Sequence, residues 1–303
     1  MYFCEEKICL ITGANSGIGK AAAKGLAKLG ATIILVSRNH TRGERTAAEL
    51  KQSTGSNKVH LIIADLSSQA STLNLANEIK DKFNNLDILI NNAGAYFSKR
   101  HITIDGVEAT FSVNYLSRFL LTNLLLEMIL KSKQGRIINV SGEYHRKGKI
   151  NFEDIEYSKN YSAFRAVSQA KLADVLFIYE LSRRLKDTKV TANCLHPGFV
   201  ATNMINNDPD SSLIKRTLYR SLSPFLKTPE EGAETVIYLA SSPEVANVTG
   251  RYFINKKSVQ SSQLSYDEKL AAQLWKTSEQ MINADITKNT FYEKKFINEL
   301  KSK

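Results

Sequence analysis

A glycine-rich turn near the start of the chain has the composition and spacing of a phosphate-binding loop. It lies between the apolar run 8–11 and the alanine-rich segment 20–29, and it reads Thr12-Gly13-Ala14-Asn15-Ser16-Gly17-Ile18-Gly19. Glycines at this spacing let the backbone turn tightly and approach a ligand closely. The first N–H groups of the following helix then point into the turn, where the helix dipole favours a phosphate. The pattern alone also occurs in turns that bind nothing, so its place between a strand and a helix is what favours a dinucleotide site.

The segment after the second predicted strand favours NADP(H) over NAD(H). An acid at this place binds the ribose 2′-hydroxyl of NAD, whereas a guanidinium binds a 2′-phosphate bidentately. The segment reads Ser37-Arg38-Asn39, and a second basic residue, Lys20, follows the glycine turn. We therefore expect Arg38 to select the phosphorylated cofactor. The alternative is an exposed arginine that merely follows the strand.

Two further strand ends carry residues suited to the same ligand. Asp65 and Leu66 follow the third predicted strand, and a carboxylate there can bind the adenine amino group. The segment Asn91-Asn92-Ala93-Gly94 follows the fourth strand, and its small residues allow the backbone to pass close to a cofactor. Ligands of a doubly wound sheet bind beyond the carboxyl ends of its strands. We therefore expect these segments to form one site with the glycine turn.

The elements that must position these residues alternate between strand and helix along the chain. Apolar, β-rich runs predict strands at residues 8–11, 32–36, 59–63, 86–90, 136–140, 190–195 and 251–254. Helical patterns predict helices at 20–29, 42–52, 71–83, 106–130, 163–185, 230–239 and 267–282. Nearly continuous apolar strands between helices are typical of a parallel sheet covered on both faces. The sequence therefore predicts a doubly wound, Rossmann-type α/β fold with about seven strands, in one domain spanning 1–303.

The composition excludes several classes of protein. The chain has 303 residues, 43% of them hydrophobic, and its three cysteines are too few and too scattered for a disulfide framework or a zinc site. We expect no metal and a reducing, cytoplasmic compartment. The longest apolar run, 119–130, is short for a membrane span, and the first strand begins almost at Met1. These features predict no transmembrane segment, signal peptide or anchor.

The surface charge and two polar segments leave alternatives open. Lys and Arg total 41 against 30 Asp and Glu, but the charges are dispersed, which favours a lysine-rich surface over a binding site for acidic partners. The polar segment 202–229 is long for a connection and predicts a lid over the substrate. The basic tail 283–303 carries interleaved aromatic residues, and we favour a frayed terminal helix over a membrane or nucleic-acid contact there.

Together these motifs resemble those of the short-chain dehydrogenase/reductase family. The family's glycine motif, adenine-site Asp and Asn-Asn-Ala-Gly motif match the segments above, and its Pro-Gly motif matches Pro197-Gly198. Thr202 stands at the family position that hydrogen-bonds the nicotinamide amide. The resemblance implies a cofactor site formed by Gly13, Asn15, Ser16, Gly17, Ile18, Gly19, Arg38, Asp65, Leu66, Asn92, Ala93, Gly94, Lys171, Pro197, Gly198 and Thr202.

Within the family, the chain looks most similar to the retinol dehydrogenase-like branch. The resemblance spans residues 7–282 and includes the segments 119–124 and 227–232 and the pair Leu274-Trp275. Members of this branch usually prefer NADP(H), which agrees with our interpretation of Arg38. The resemblance also implies a lipophilic alcohol or carbonyl as the substrate. Many members carry an N-terminal membrane anchor, which we do not expect here.

The family's catalytic pattern is only half present. In the family a Tyr donates a proton to the alkoxide, and a Lys four residues later lowers the pKa of that Tyr and binds the nicotinamide ribose. A Ser after the fifth strand polarises the carbonyl, and an Asn in the preceding helix holds a relay water. Asn114 and Lys171 match the Asn and the Lys, whereas the Tyr position is Val167 and the Ser position is Gly142. The interval between these last two equals the usual Ser–Tyr interval of the branch, which argues against a misalignment.

Neither replacement can take part in proton transfer. Loss of a general acid typically costs about 10²–10⁴ in rate and loss of a polarising donor roughly 10²–10³, although the two losses need not multiply. The nearby hydroxyls belong to Ser141, Ser168, Tyr144 and Tyr161. Strand alternation turns Ser141 away from position 142, and Tyr161 is too far along the helix from position 167. Tyr144, in the loop after Gly142, is the least implausible substitute.

Two functions therefore remain open from the sequence. One is an NADP(H)-dependent oxidoreductase with relaxed or relocated acid catalysis, and the other is a catalytically impaired pseudoenzyme that binds NADP(H) as a scaffold or sensor. A surface for nucleic acid or anionic lipid would rest on net charge alone, and we expect no nucleic-acid partner. Arg118 adds charge to a helix face that either packs tightly or pairs with a second subunit, so a homodimer is one of two alternatives.

Overall fold

The apolar runs of the chain pair into one mainly parallel sheet. The computed structural model describes residues 4–201, 208–212, 217, 221, 226–282 and 286. The strands are β1 (Ile8–Thr12), β2 (Thr32–Ser37), β3 (Val59–Ile63), β4 (Ile88–Asn91), β5 (Arg136–Val140), β6 (Thr191–His196), β7 (Tyr252–Ile254) and β8 (Lys257–Val259). Their order is β3-β2-β1-β4-β5-β6-β7-β8, and every neighbouring pair except β7–β8 is parallel. The prediction of a doubly wound Rossmann-type sheet is confirmed.

The eighth strand is the one that the sequence did not predict. Asn255 and Lys256 have φ values of 49° and 65° and join β7 to β8 in a two-residue hairpin. Positive φ at both turn positions matches the twist of paired antiparallel strands. The residues of β8 are exposed. They therefore lack the apolar run by which the other strands are recognised.

Helices cover both faces of the sheet. They are α1 (Gly17–Lys28), α2 (His40–Thr54), α3 (Gln69–Lys82), α4 (Ala109–Leu130), α5 (Ala163–Arg184), α6 (Pro229–Ser241) and α7 (Glu268–Met281). One apolar core forms where α1, α2 and α6 pack on the sheet, and a second forms under α3, α4, α5 and α7. The glycine turn, the end of β4 and the start of the segment after β5 all meet at the carboxyl edge of the sheet, where a doubly wound fold binds ligands.

The helix α4 lies within the predicted range 106–130 and extends well beyond the apolar run 119–130. It continues through a π-helical turn, Ser112–Leu116, and its 22 residues are enough, by length and composition, to cross a membrane. The run 119–130 therefore understates the length of the helix that contains it, and the absence of a transmembrane segment stays a prediction. Of the most apolar stretch of α4, 83% is buried within the protein. A buried core helix passes the same test, so this is weak evidence for a membrane span.

The helix faces that the sequence left open between core and subunit contact lie in the core. α7 packs against α5, and the ring of Trp275 contacts the rings of Phe119 on α4 and Phe177 on α5. Tyr115 of α4 donates to or accepts from Ser278 of α7 at 2.6 Å. A homodimer stays a prediction, and it would have to use surfaces other than these covered faces.

Candidate cofactor and catalytic site

The glycine turn is held tightly against the end of β4. Gly13 and Gly17 have φ values of 62° and 53°, which glycine adopts without strain. A Cβ at Gly13 would lie 2.8 Å from the Cα of Ala93, so no side chain fits at this approach. The Asn92 amide donates to the carbonyl oxygens of Thr12 and Gly13 at 2.9 and 3.2 Å. The structure therefore brings the first and fourth strand ends together.

The N-terminus of α1 opens into this turn. Ser16 is the N-cap residue, but its side chain accepts no hydrogen bond from the first turn, which also contains no acid. A side chain at Gly19 would collide with the turn, since its Cβ would lie 2.5 Å from the carbonyl oxygen of Gly13. Asn15 and Ile18, both half-buried, complete the turn. Free N–H groups at the positive end of a helix are the groups that bind a phosphate.

Two basic residues, Arg38 after β2 and Lys20 in α1, are candidates to bind the 2′-phosphate, and Arg38 is the one available for a ligand. Its side chain is exposed and has no ion pair among the residues that the structure describes. Asn39 next to it caps α2 by accepting a hydrogen bond from the N–H of Arg42 at 2.9 Å. Lys20 instead forms an ion pair with Glu49 of α2. Its charge is therefore already compensated, and recognition of a 2′-phosphate would fall to Arg38.

Asp65 and Leu66 lie where the third strand ends. The Asp65 carboxylate accepts hydrogen bonds from the N–H and the hydroxyl of Ser67 at 2.9 and 2.7 Å, both on Oδ1. This fixes the orientation of the carboxylate and leaves Oδ2 for a ligand. Leu66 is buried beneath it. The geometry suits a carboxylate that accepts from an adenine amino group.

The loop after β6 comes close to a lysine. Gly198 has a φ value of 93°, and a Cβ there would lie 2.7 Å from the Cδ of Lys227. Pro197 precedes it directly, and Lys227 donates to the amide oxygen of Asn255 at 2.7 Å. Thr202, which we expect to bind the nicotinamide amide, lies outside the described residues.

His196, the last residue of β6, is a buried polar group that the sequence analysis missed. Its Nδ1 has no hydrogen-bond partner within the described ranges. Burial lowers the pKa of His196 to about 4, against the opposing charge of Glu143. The ring is therefore neutral at pH 7 and carries no imidazolium proton to donate. The signal available in the sequence was a histidine that directly follows a predicted strand, 190–195.

Lys171 and the two replaced positions come together beside the end of β5. Lys171 and Val167 lie one turn apart on α5, which places both side chains on one face. The Lys171 ammonium donates to the Val140 carbonyl at 3.2 Å. Gly142 follows in extended backbone, and a Cβ there would meet only the Cε of Lys171, at 3.9 Å. An open space therefore lies where a serine side chain would stand.

Asn114 lies in the π-helical turn of α4 and holds the loop after β4. Its amide oxygen accepts from the Ala95 N–H at 3.1 Å, and its amide nitrogen donates to the carbonyl oxygens of Ala95 and Thr110 at 2.8 and 2.9 Å. The polar atoms of this side chain are thus engaged in positioning the loop. A relay water would have to bond the backbone here. Single π-helical turns within helices are frequent at functional sites.

Arg118 is buried under the site rather than on a subunit surface. It is 2% exposed and forms an ion pair with Asp174 of α5 at 2.7 Å. The same guanidinium donates to the Val140 carbonyl at 3.0 Å and to the Ala93 carbonyl at 2.7 Å. Asn139 donates to the other Asp174 oxygen at 2.6 Å. Arg118 stands out in the sequence but its partner does not, although an Asp in an apolar helix three residues after Lys171 is a visible signal.

Comparison with known proteins identifies the family. The pattern described as short chain dehydrogenase matches residues 7–212. The chain belongs to this family. Retinol dehydrogenase 14 of Mus musculus is 42% identical over 287 residues, which cover 91% of this chain and 86% of that protein. The resemblance to the retinol dehydrogenase-like branch is therefore confirmed.

Solved structures of the family share the fold. An uncharacterized protein from Mycobacterium paratuberculosis is 30% identical, with a TM-score of 0.74 over 93% of this chain and 95% of that chain. The RhlG/NADP active-site complex of Pseudomonas aeruginosa is 27% identical, with a TM-score of 0.64 over 83% of this chain and 95% of that chain. The short-chain dehydrogenase fold thus extends over nearly all of the described residues.

No described hydroxyl takes the place of the short-chain dehydrogenase tyrosine. Ser141 donates to a backbone oxygen of α5 at 3.2 Å, and the Tyr161 hydroxyl donates to a backbone oxygen in the loop after β4 at 3.0 Å. Ser168 is buried. Tyr144 is 47% exposed, and its ring lies edge-on to Phe164 at a centroid distance of 5.6 Å. Tyr144 is thus the one of the four that faces the solvent side of the site.

The Arg118–Asp174 pair gives a prediction for stability. We expect Asp174→Ala to lower the free energy of unfolding by about 3–5 kcal/mol, because it leaves a buried guanidinium without its counter-ion. Urea unfolding measures this change. Asp187→Ala, which removes an exposed carboxylate just beyond the same helix, should change the free energy by less than about 0.5 kcal/mol. Equal effects of the two substitutions would show that the buried ion pair contributes no more to the free energy of unfolding than an exposed carboxylate does.

Proposed function

We propose that the chain binds NADP(H) as a retinol dehydrogenase-like oxidoreductase for a lipophilic alcohol or carbonyl, and that its turnover is slow because the proton donor is missing. The observation that carries this proposal is a contrast within one site. The glycine turn, Arg38 and Lys171 have the arrangement that the cofactor needs. Beside Lys171, however, stand an apolar side chain and an open space.

The residues present fit NADP(H). A Cβ at Gly13 or Gly19 would fill the turn, so this surface stays open for backbone contact with a diphosphate. The uncapped start of α1 suits the phosphates, Arg38 the 2′-phosphate, Asp65 the adenine and Lys171 the nicotinamide ribose. A related structure, that of RhlG, contains NADP. When bound, the cofactor supplies or accepts the hydride at the carbonyl carbon.

The exposed aromatic residues around the site support a lipophilic substrate. Tyr144 and Phe164 contact each other and are 47% and 51% exposed, and Phe199, in the loop after β6, is 63% exposed. Apolar side chains left exposed at a site favour an apolar ligand. The name of the relative, retinol dehydrogenase 14, refers to retinol, which is a lipophilic alcohol.

A specific observation favours a second function, that of a pseudoenzyme that binds NADP(H) as a scaffold or sensor. Ser141 and Tyr161 are engaged with the backbone, and His196 has a pKa of about 4. Of the four hydroxyls compared above, Tyr144 is the exposed one and the remaining candidate for a proton donor. We also propose a reducing, cytoplasmic environment for either function, since Cys4, Cys9 and Cys194 are free and buried thiols.

Restoring the two missing side chains tests the proposal. We expect Gly142→Ser/Val167→Tyr to raise the rate of NADPH oxidation with all-trans-retinal by about 10²-fold or more, since a general acid contributes about that much. The serine has room, because its Cβ would meet only the Lys171 side chain. Single-turnover absorbance of NADPH measures the rate.

The matched control for this experiment places an aromatic ring without a hydroxyl at position 167. Gly142→Ser/Val167→Phe should bind NADPH as well as the restored variant and stay as slow as the native chain. Native turnover as fast as that of the restored variant would contradict the missing-donor proposal. Loss of that activity in Tyr144→Phe would then locate the substitute donor.

Arg38 gives a prediction for cofactor choice. We expect Arg38→Ala to weaken NADPH binding by about 10- to 100-fold, since a charge-assisted hydrogen bond contributes about 1.5–3 kcal/mol, and to leave NADH binding nearly unchanged. Fluorescence titration with both cofactors measures this. Lys28→Ala removes the same charge at the far end of α1 and should change neither affinity. An equal loss for NADPH in both variants would indicate a general charge effect instead.

A further inference from the structure

Lys171 lies beside a space that no neighbouring side chain fills. Among the described residues, an atom placed at the Cβ position of Gly142 would come within 4 Å of one group outside its chain neighbours, the Lys171 Cε. The Lys171 nitrogen has a single hydrogen bond among the described residues, to the Val140 carbonyl at 3.2 Å. The amine therefore has hydrogen-bonding capacity left, beside a position that no described side chain fills.

An apolar path leads along α5 to this amine. Phe164, Val167 and Lys171 are spaced so that they lie on one face of the helix. Phe164 is half exposed at the rim and contacts the ring of Tyr144, whereas Val167 is 9% exposed. A hydrocarbon chain with a polar end would lie along this face with its polar end at Lys171.

The charges around Lys171 disfavour its ammonium form. Arg118 of α4 and Asp174 of α5 face it with opposite charges, and His196 of β6 is also within electrostatic reach. Burial, which is the largest cause, and the charge of Arg118 together lower the pKa of Lys171 to about 7, while the charge of Asp174 opposes the shift. At neutral pH, Lys171 is therefore a neutral, nucleophilic amine in a large fraction of the protein molecules.

We infer that Lys171 condenses with the carbonyl group of a lipophilic aldehyde and holds it as an imine in the space beside Gly142. The amine nitrogen attacks the carbonyl carbon, a C–N bond forms, and the oxygen takes up a proton to give a carbinolamine. Water then leaves as the C=N bond forms, with no change in oxidation state. The inference rests on the proposed function for the aldehyde class of its ligand.

This reaction depends on the same replacements that remove proton transfer. A tyrosine at position 167 would place a ring and a hydroxyl on the face that leads to the amine. A serine at position 142 would place its hydroxyl toward Lys171. With Val167 and Gly142 the amine is instead the one reactive group at this face. Bound NADP(H), whose ribose Lys171 would hold, competes with the aldehyde for the same nitrogen.

Reductive trapping tests the inference on the full chain. We incubate the protein with all-trans-retinal, add sodium borohydride and measure intact mass. The expected product is heavier by one aldehyde less one oxygen atom, and peptide mapping should place the adduct on Lys171. Saturating NADPH should reduce labelling of Lys171 about tenfold, and raising the pH from 6 to 8 should increase it as the amine is deprotonated.

Variants separate Lys171 from the many surface lysines. Lys171→Arg should abolish the mapped adduct, whereas Lys131→Arg, at an exposed position, should leave it unchanged. Gly142→Leu fills the space and keeps the lysine, and it should reduce labelling about tenfold or more. Circular dichroism and thermal unfolding show that each variant is folded.

The outcomes distinguish this inference from the proposed function. An adduct on Lys171 that NADPH and Gly142→Leu suppress supports the inference. Labelling spread over surface lysines, or unchanged in Gly142→Leu, overturns it, and NADPH binding in the same samples would then leave the proposed function intact. A Lys171 adduct in a chain that does not bind NADPH would support the inference and contradict the proposed function.

Discussion

The site depends on one buried ion pair, Arg118–Asp174. Removing two charges from water costs several kcal/mol for each, and their attraction offsets this only when hydrogen bonds satisfy the remaining donors. Here the guanidinium also donates to the carbonyl oxygens of Ala93 and Val140, and the carboxylate accepts from Asn139. These contacts join the end of β4, the end of β5 and the middle of α5. The relative positions of the cofactor turn and the lysine follow from this arrangement.

The same pair governs the chemistry of Lys171. Burial is the largest cause of the low pKa of this lysine, and its ammonium would also lie close to the buried guanidinium of Arg118. Asp174 compensates only in part because its oxygens are already engaged by Arg118 and Asn139. Burial and these charges lower the pKa of Lys171 far below the usual range of a lysine.

Local patterns made most of the fold predictable, and contacts between distant segments made the rest unpredictable. The apolar runs that became β1, β2, β4, β5 and β6 are buried on both faces, and such runs are visible without any structure. The exposed β8 has no such run. The pairing of Lys20 with Glu49, which leaves Arg38 as the free base, joins two helices and has no local signal. The partner of Arg118 lies 56 positions away, so its charge could be noticed but not interpreted.

The glycines of the site show that binding and chemistry are separable here. At Gly13 and Gly19 a side chain would collide with backbone or with Asn92, so the cofactor turn requires glycine for its shape. At Gly142 the backbone is extended, which any residue adopts, and a Cβ would meet nothing closer than 3.9 Å. Neither packing nor conformation demands glycine there, and buried Val167 is equally compatible with the apolar face of α5. The two replacements therefore change the reactive groups of the site while the architecture that would bind the cofactor stays the same.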